Sequence, residues 1–198
     1  TMYLIGGNDR KTISAILGTT LGVLISGLSA WIFGLAADID GYNVSNIETL
    51  VYLGQNTQIK IGGLLFAGIL IASLGAVMDV AMSVSSAIAE IHDKSKTLGM
   101  KELFISGMHV GKDMMGTMSN TLILAFAGGS ISVLVLDYAY NLPLRQIINS
   151  YSIGIEIMQG IAGSIGVILT VPTTAFMAAL LYGAKRNITV HSSQEDTQ

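Results

Sequence analysis

Asp79 is the residue whose type and place most demand a chemical reason. It ends an uncharged run over residues 61–78. A hydrocarbon core takes about 20 mostly apolar helical residues to cross, so this carboxylate falls inside a span or at its inner edge. At the centre of such a helix an Asp costs roughly 2.5–3.5 kcal/mol on the mildest scale. Ser83, Ser86 and Glu90 continue down the same face at helical spacing, on a segment otherwise built of Val, Ala, Met and Ile. A second set, Asp113, Thr117 and Asn120, shares one face at the mouth of a later apolar stretch. Carboxylates, hydroxyls and an amide lining one cavity at low dielectric suit cation binding or proton relay. The same residues also suit a structural network, with Asp79 hydrogen-bonded to a neighbouring helix and Asp113 placed at a helix N-terminus, where negative charge is favourable.

Other candidates are more scattered. Arg145, Asn149, Ser152, Glu156 and Gln159 fall at alternating steps of four and three, one polar stripe on an apolar helix. Glu156 reads equally as the mouth of a pathway and as the solvated face of an interfacial helix. His109 can exchange protons near neutral pH; only Asp113 stands at ligand spacing from it, a weak pattern, and no metal is expected. His92 and His191 read as solvated loop residues. Met78, Met82, Met108, Met114, Met115 and Met118 are explained more simply as adaptable packing than as a soft-metal path. Asp38, Asp40 and Asn43 with Gly41 read as a turn, since a calcium loop would carry its Gly at the sixth position and a Glu at the twelfth. There is no Ser–His pair, His–Glu zinc motif or paired catalytic Asp motif at recognisable spacing, and no cysteine. An enzyme is therefore not expected, nor any cofactor.

The elements that must position these groups are membrane helices. Of 198 residues, 51% are hydrophobic and 12% charged, with mean hydropathy +0.63, too apolar for a soluble domain. No basic tract suggests nucleic acid. Spans are expected over residues 11–37, 59–91, 114–136 and 160–182. The fold class is thus an all-α polytopic bundle of four spans plus one amphipathic or re-entrant helix over 144–159. Residues 100–105 are expected to form a short interfacial helix within a basic loop, Gly128-Gly129 to interrupt the third span, and Pro172 to kink the fourth. One transmembrane domain is assigned to 1–183 and a polar tail to 184–198. The apolar run at residues 1–5 reads as the tail of an earlier membrane helix. Small residues expected at close helix contacts are Gly18 and Gly22, Gly68, Ala72 and Ala76 on the side facing the polar stripe, and Gly163 and Gly166. Arg10, Lys11, Lys94, Lys96, Lys101, Lys112, Lys185 and Arg186 fall on one side, Lys60 and Arg145 on the other. The positive-inside rule then puts both ends of the chain in the cytoplasm.

The run Gly75-Ala76-Val77-Met78-Asp79-Val80-Ala81-Met82-Ser83 resembles the signature of the YibE/F family of bacterial integral membrane proteins. Two further pieces agree in order: Ser106-Gly107-Met108-His109-Val110-Gly111-Lys112-Asp113 with its continuation to Leu122, and Gly163-Ser164-Ile165-Gly166 with its continuation to Pro172. The resemblance covers residues 4–182. It implies a multipass protein of the bacterial inner membrane. Longer members carry extra helices and an extracytoplasmic segment ahead of this region, so a trimmed product or the shorter partner of a split pair is implied here. The resemblance supplies no transported molecule.

Two functions are compatible with these residues. One is a permease component in which Asp79, Ser83, Asp113, Thr117, Asn120 and Glu156 handle a cation or proton. The other is a noncatalytic scaffold or regulatory subunit whose polar residues only hold helices together. The expected partners are the lipid bilayer and a membrane subunit of the same family or a second copy.

Overall fold

The structure is a computed structural model that describes residues 7, 9–37 and 61–183; for 61, 62, 64, 65 and 151 it describes the backbone alone. The Asp38–Asn43 turn, His191, Lys185, Arg186 and the expected tail lie outside the described residues. Six helices and no strand occur among them: α1 (Arg10–Ala36), α2 (Ile61–Lys94), α3 (Met100–Gly129), α4 (Ile131–Ala139), α5 (Leu144–Ile148) and α6 (Tyr151–Gly183). Among the described residues four stretches are long and apolar enough to cross a membrane: α1, Phe66–Lys94 of α2, Met100–Ala139 and Ser152–Gly183. The fold is the expected all-α bundle.

Helix α6 is the hub, packing on α1, α2 and α3, while α2 also packs on α1 and α3. Small residues explain why. A Cβ at Gly18 would collide with the Thr174 side chain, and one at Gly22 with Thr170 and with Val77 Cγ1 at 2.7 Å. Gly163 lies against Leu122 and Ser73, and Gly166 against Ser26. Such contacts bring backbones together in a bilayer, where lipid tails are as apolar as Leu and close packing must drive association. Around these points Val77, Val80, Val84 and Ile88 of α2 interlock with Leu103 and Leu122 of α3 and Val167 and Val171 of α6, all buried.

Two expectations about local structure need correction. The basic loop is short: α3 begins at Met100 rather than near residue 114, with no separate interfacial helix. Its start is capped by the Glu102 carboxylate, which accepts a hydrogen bond from the Gly99 N–H at 2.8 Å. Lys101, Lys112 and Asp113 are exposed while Leu103, Gly107 and Gly111, four apart, are buried. Charge confined to the outer face does not end a helix. The stretch 144–159 is also not one helix. The Asn149 side-chain amide donates to the Arg145 carbonyl (2.7 Å), closing α5, and the Ser150 hydroxyl accepts from the Ile153 N–H (3.4 Å), opening α6. Ser152, Glu156 and Gln159 therefore belong to the first turns of the last span. Helix α6 continues through Pro172, the position at which a kink is expected. The third long stretch does break after Gly129, where α4 starts one residue later.

One polar contact ties α1 to α2. The Ser85 hydroxyl donates to the Lys11 carbonyl at 2.6 Å and lies 2.5 Å from Ser14 Oγ. Ser85→Ala is expected to cost about 0.6–1 kcal/mol, the range of a hydrogen bond within a membrane bundle or a soluble fold. Equilibrium unfolding in mixed detergent micelles measures it.

Candidate functional site

Asp79 lies midway between Phe66 and Lys94, the ends of the membrane-length part of α2, and its side chain is exposed on the outside of the bundle. Among the described residues nothing forms a hydrogen bond or ion pair with it. Its stripe runs Gly68, Ala72, Gly75, Asp79, Ser83, Ser86, Glu90, at steps of four, three, four, four, three and four. That spacing holds one face. The opposite face carries Ile69, Ser73, Val77, Val80, Val84 and Ile88, all buried. Gly68 and Gly75 meet nothing within 4 Å of where a Cβ would stand. Among the described residues the close approach expected at Gly68 is thus not made, and Ala72 is exposed. These two share the acid's own face rather than opposing it; only Ala76, at the stripe's edge, packs on the core.

Helix α3 repeats the arrangement. Its buried positions 103, 107, 111 and 122 face α2 and α6, and His109, Asp113, Gly116, Thr117 and Asn120 are exposed on the far side. The Thr117 hydroxyl donates to the Asp113 carbonyl (3.3 Å) and Thr121 to the Thr117 carbonyl (2.8 Å), the usual way an isolated hydroxyl is satisfied in a helix.

Relative depth follows from the glycine contacts. Gly163 touches both Ser73 and Leu122, and Gly107 touches Ile88. The two helices run antiparallel, so counting along them from either contact brings position 116 of α3 to the level of Asp79. Asp79 is therefore level with Gly116 and Thr117, and Gly75 with Asn120. Asp113 sits about three residues, roughly 4.5 Å, nearer the basic end than Asp79.

The remaining outer surface differs. Leu24, Leu28 and Ile32 of α1 and Ile168, Leu169 and Phe176 of α6 are exposed and large, as lipid contact requires. On α2 and α3 the central outer positions are acid, amide, hydroxyl and glycine, with Ile71, Ile123 and Leu124 beside and beyond them. Among the described residues Asp79 and Asp113 do not share the cavity inside the bundle that is expected from the sequence: both are exposed on its outside. The reason is geometric: the core-facing stripe of α2 is mostly Val and Ile and that of α3 is Leu and Gly, leaving the acids outside.

Glu156 stands apart. It borders an apolar, half-open cavity of about 320 Å³ between the α3–α4 break and α6, with Ile123, Phe126, Ser130 and Ile153 among its walls. Among the described residues no three His, Asp or Glu side chains come together as a metal site. Met108, Met115 and Met118 pack against the core. His92, expected as a loop residue, occupies the last turn of α2, its ring 5.0 Å from that of Tyr182. Gly107 and Gly111 were not singled out as packing residues, though their four-residue spacing is the signal: Gly107 lies against Ile88 and Ala175, and Gly111 against Val171.

An all-α bundle with four membrane-length stretches, two adjacent helices turning carboxylates outward, defines a class: polytopic helical proteins built to cross a bilayer. The chain belongs to the YibE/F family, whose model, described as YibE/F-like protein, matches residues 1–184. No curated protein and no solved structure matches it.

Proposed function

We propose that this chain is one component of a permease in the bacterial inner membrane, moving a small cation or a proton along the outer face of α2 and α3, with a further subunit closing the path. Asp79 carries the reading: a carboxylate at mid-span, exposed and unpartnered among the described residues. Such a group is retained against a cost of a few kcal/mol when it serves something polar. Asp113, Thr117 and Asn120 extend the polar face at matching depth, and Ser83 continues it toward the basic end. Arg10, Lys94 and Lys101 lie at that end, where the Arg10 guanidinium donates to the Leu181 carbonyl at 2.8 Å. This clustering supports a cytoplasmic placement for the start of α1 and the end of α6. No chemical reaction is assigned to the protein.

The scaffold reading draws on the open glycines of α2, which would let another helix seat closely against a dry face. Proteoliposome flux separates the two. Protein isolated in mild detergent together with any membrane subunit that stays bound to it is reconstituted and screened with sodium, potassium, magnesium and proton gradients, alongside Asp79→Asn. A permease conducts at least one cation and loses that flux in the variant. No flux in the parent for any ion leaves the scaffold.

Glu156 is assigned no part in the path. Glu156→Gln is expected to keep at least half of the parent flux in the same vesicles; abolition would place the path at the α3–α6 cavity instead.

A further inference from the structure

We infer that the cavity beside Glu156 is a binding site for a small organic cation, an alkyl- or arylalkyl-ammonium whose charge meets the carboxylate and whose apolar body fills the space. The site is formed by α3, α4 and α6, away from the face proposed as the path. Its walls are apolar except for Ser130 and Glu156. The Ser130 hydroxyl is committed to the Phe126 carbonyl at 3.2 Å, so the carboxylate is the side chain left to recognise a ligand. Among the described residues nothing pairs with it, and no Lys, Arg or His lines the cavity. Glycine at 129 leaves it uncovered: a Cβ there would stand 4.0 Å from Glu156 Oε1. Its depth suits an amphipathic cation. Counting from where Gly22 meets Thr170 and Gly166 meets Ser26 brings Glu156 level with Ala36, the last residue of α1. Counting from Ser73 against Gly163 brings it level with Phe66, where the membrane-length part of α2 begins. The acid thus stands at the membrane boundary opposite the basic end, and Ile123, Phe126, Gly160 and Ile161 wall the deeper part of the cavity. An ammonium at the boundary with an apolar group below it has the same polarity profile. About 320 Å³ is at the small end of the roughly 300–1,000 Å³ range of ligand sites. One carboxylate among apolar walls does not replace the several oxygens that a bare metal ion requires. A lipid tail would fill the space but leave the carboxylate unpaired, at a cost.

Isothermal titration calorimetry on the chain in phosphatidylcholine nanodiscs tests the site, with protein-free discs giving the partition into lipid. The probes are phenylbutylammonium, the neutral phenylbutanol and the anionic phenylbutyrate. Saturable binding is expected, the ammonium at least about tenfold tighter than the alcohol and the anion without detectable binding. Glu156→Gln should bring the ammonium down to the level of the alcohol. Ala127→Trp, which places an indole in the cavity and keeps the charge, should abolish binding of both. Equal affinity for ammonium and alcohol, or ammonium binding untouched by Glu156→Gln, would overturn the inference and leave a crevice for acyl chains. Heats no different from those of protein-free discs would overturn it too, as would binding lost when phosphatidylethanolamine replaces the lipid, which would give the site to that headgroup. If a variant fails to accumulate, the ranking of the three probes on the unaltered chain decides. None of these outcomes depends on whether the chain conducts an ion along α2 and α3.

Discussion

Gly22→Leu will leave little folded protein, whereas Gly68→Leu will leave the bundle intact. The two positions look alike in the sequence, each a glycine near the middle of an apolar stretch with a small residue four positions away. In the fold they differ completely. Gly22 is buried where α1 meets both α2 and α6, and even a methyl group there would overlap Thr170 and press on Val77. Neither neighbour can yield cheaply, because Thr170 is held by its own hydroxyl to the Gly166 carbonyl at 2.6 Å and both side chains are fully buried. Overpacking of this kind costs roughly 1–3 kcal/mol or more, and a backbone that cannot close loses the neighbouring contacts as well. Gly68 has open space, so a side chain there touches nothing in its own chain. The check is the yield of monodisperse protein and the unfolding midpoint in detergent. A drop of at least 10 °C is expected for Gly22→Leu, and a change within about 2 °C for Gly68→Leu. Equal behaviour would mean α1 does not pack as described.

Asp79→Asn will abolish flux while leaving stability unchanged. The substitution keeps size and shape and removes only the charge and the exchangeable proton. Since Asp79 makes no hydrogen bond or ion pair among the described residues, the folded chain has no partner to lose there. Removing a charge from mid-span is, if anything, favourable by up to a few kcal/mol. Rate and stability should therefore part company: cation flux in proteoliposomes falling tenfold or more, and the unfolding midpoint unmoved or raised. A structural Asp79 would give the opposite pattern, an intact rate or none to measure and a lowered midpoint.

The helices were legible because hydropathy and length decide a membrane span almost alone, as α1 and α6 show. Less legible were ends and directions. Lys101, Lys112 and Asp113 read as loop because sequence counts charges without seeing that they share one side of α3, the side away from Leu103, Gly107 and Gly111. The periodicity of 79, 83, 86 and 90 announces a polar face but not which way it points. In water such a face must point outward; in a bilayer it can point to a cavity, a neighbour or another chain, and hydropathy is silent among these. A clue was present in Gly68, Ala72 and Gly75, which stand on the acid's own face by simple counting. Small residues beside an acid, with the Val and Ile of the core on the other side, mark a surface that another backbone can approach. Glu156 misled for a different reason: its stripe crosses the Asn149–Ser150 break, so residues in phase by sequence do not share one helix.

Water at the α2–α3 face is the most direct test of the whole account. Single cysteines at Thr117 and Asn120 are compared with single cysteines at Leu24 and Leu169, which lie at similar depth on α1 and α6, by labelling in intact membranes with a charged, membrane-impermeant thiol reagent. The path predicts labelling at Thr117→Cys and Asn120→Cys, slowed by Asp79→Asn or by a permeant cation, and none at Leu24→Cys and Leu169→Cys. Silence at all four positions would contradict it, leaving a dry face that serves only to hold one subunit to another.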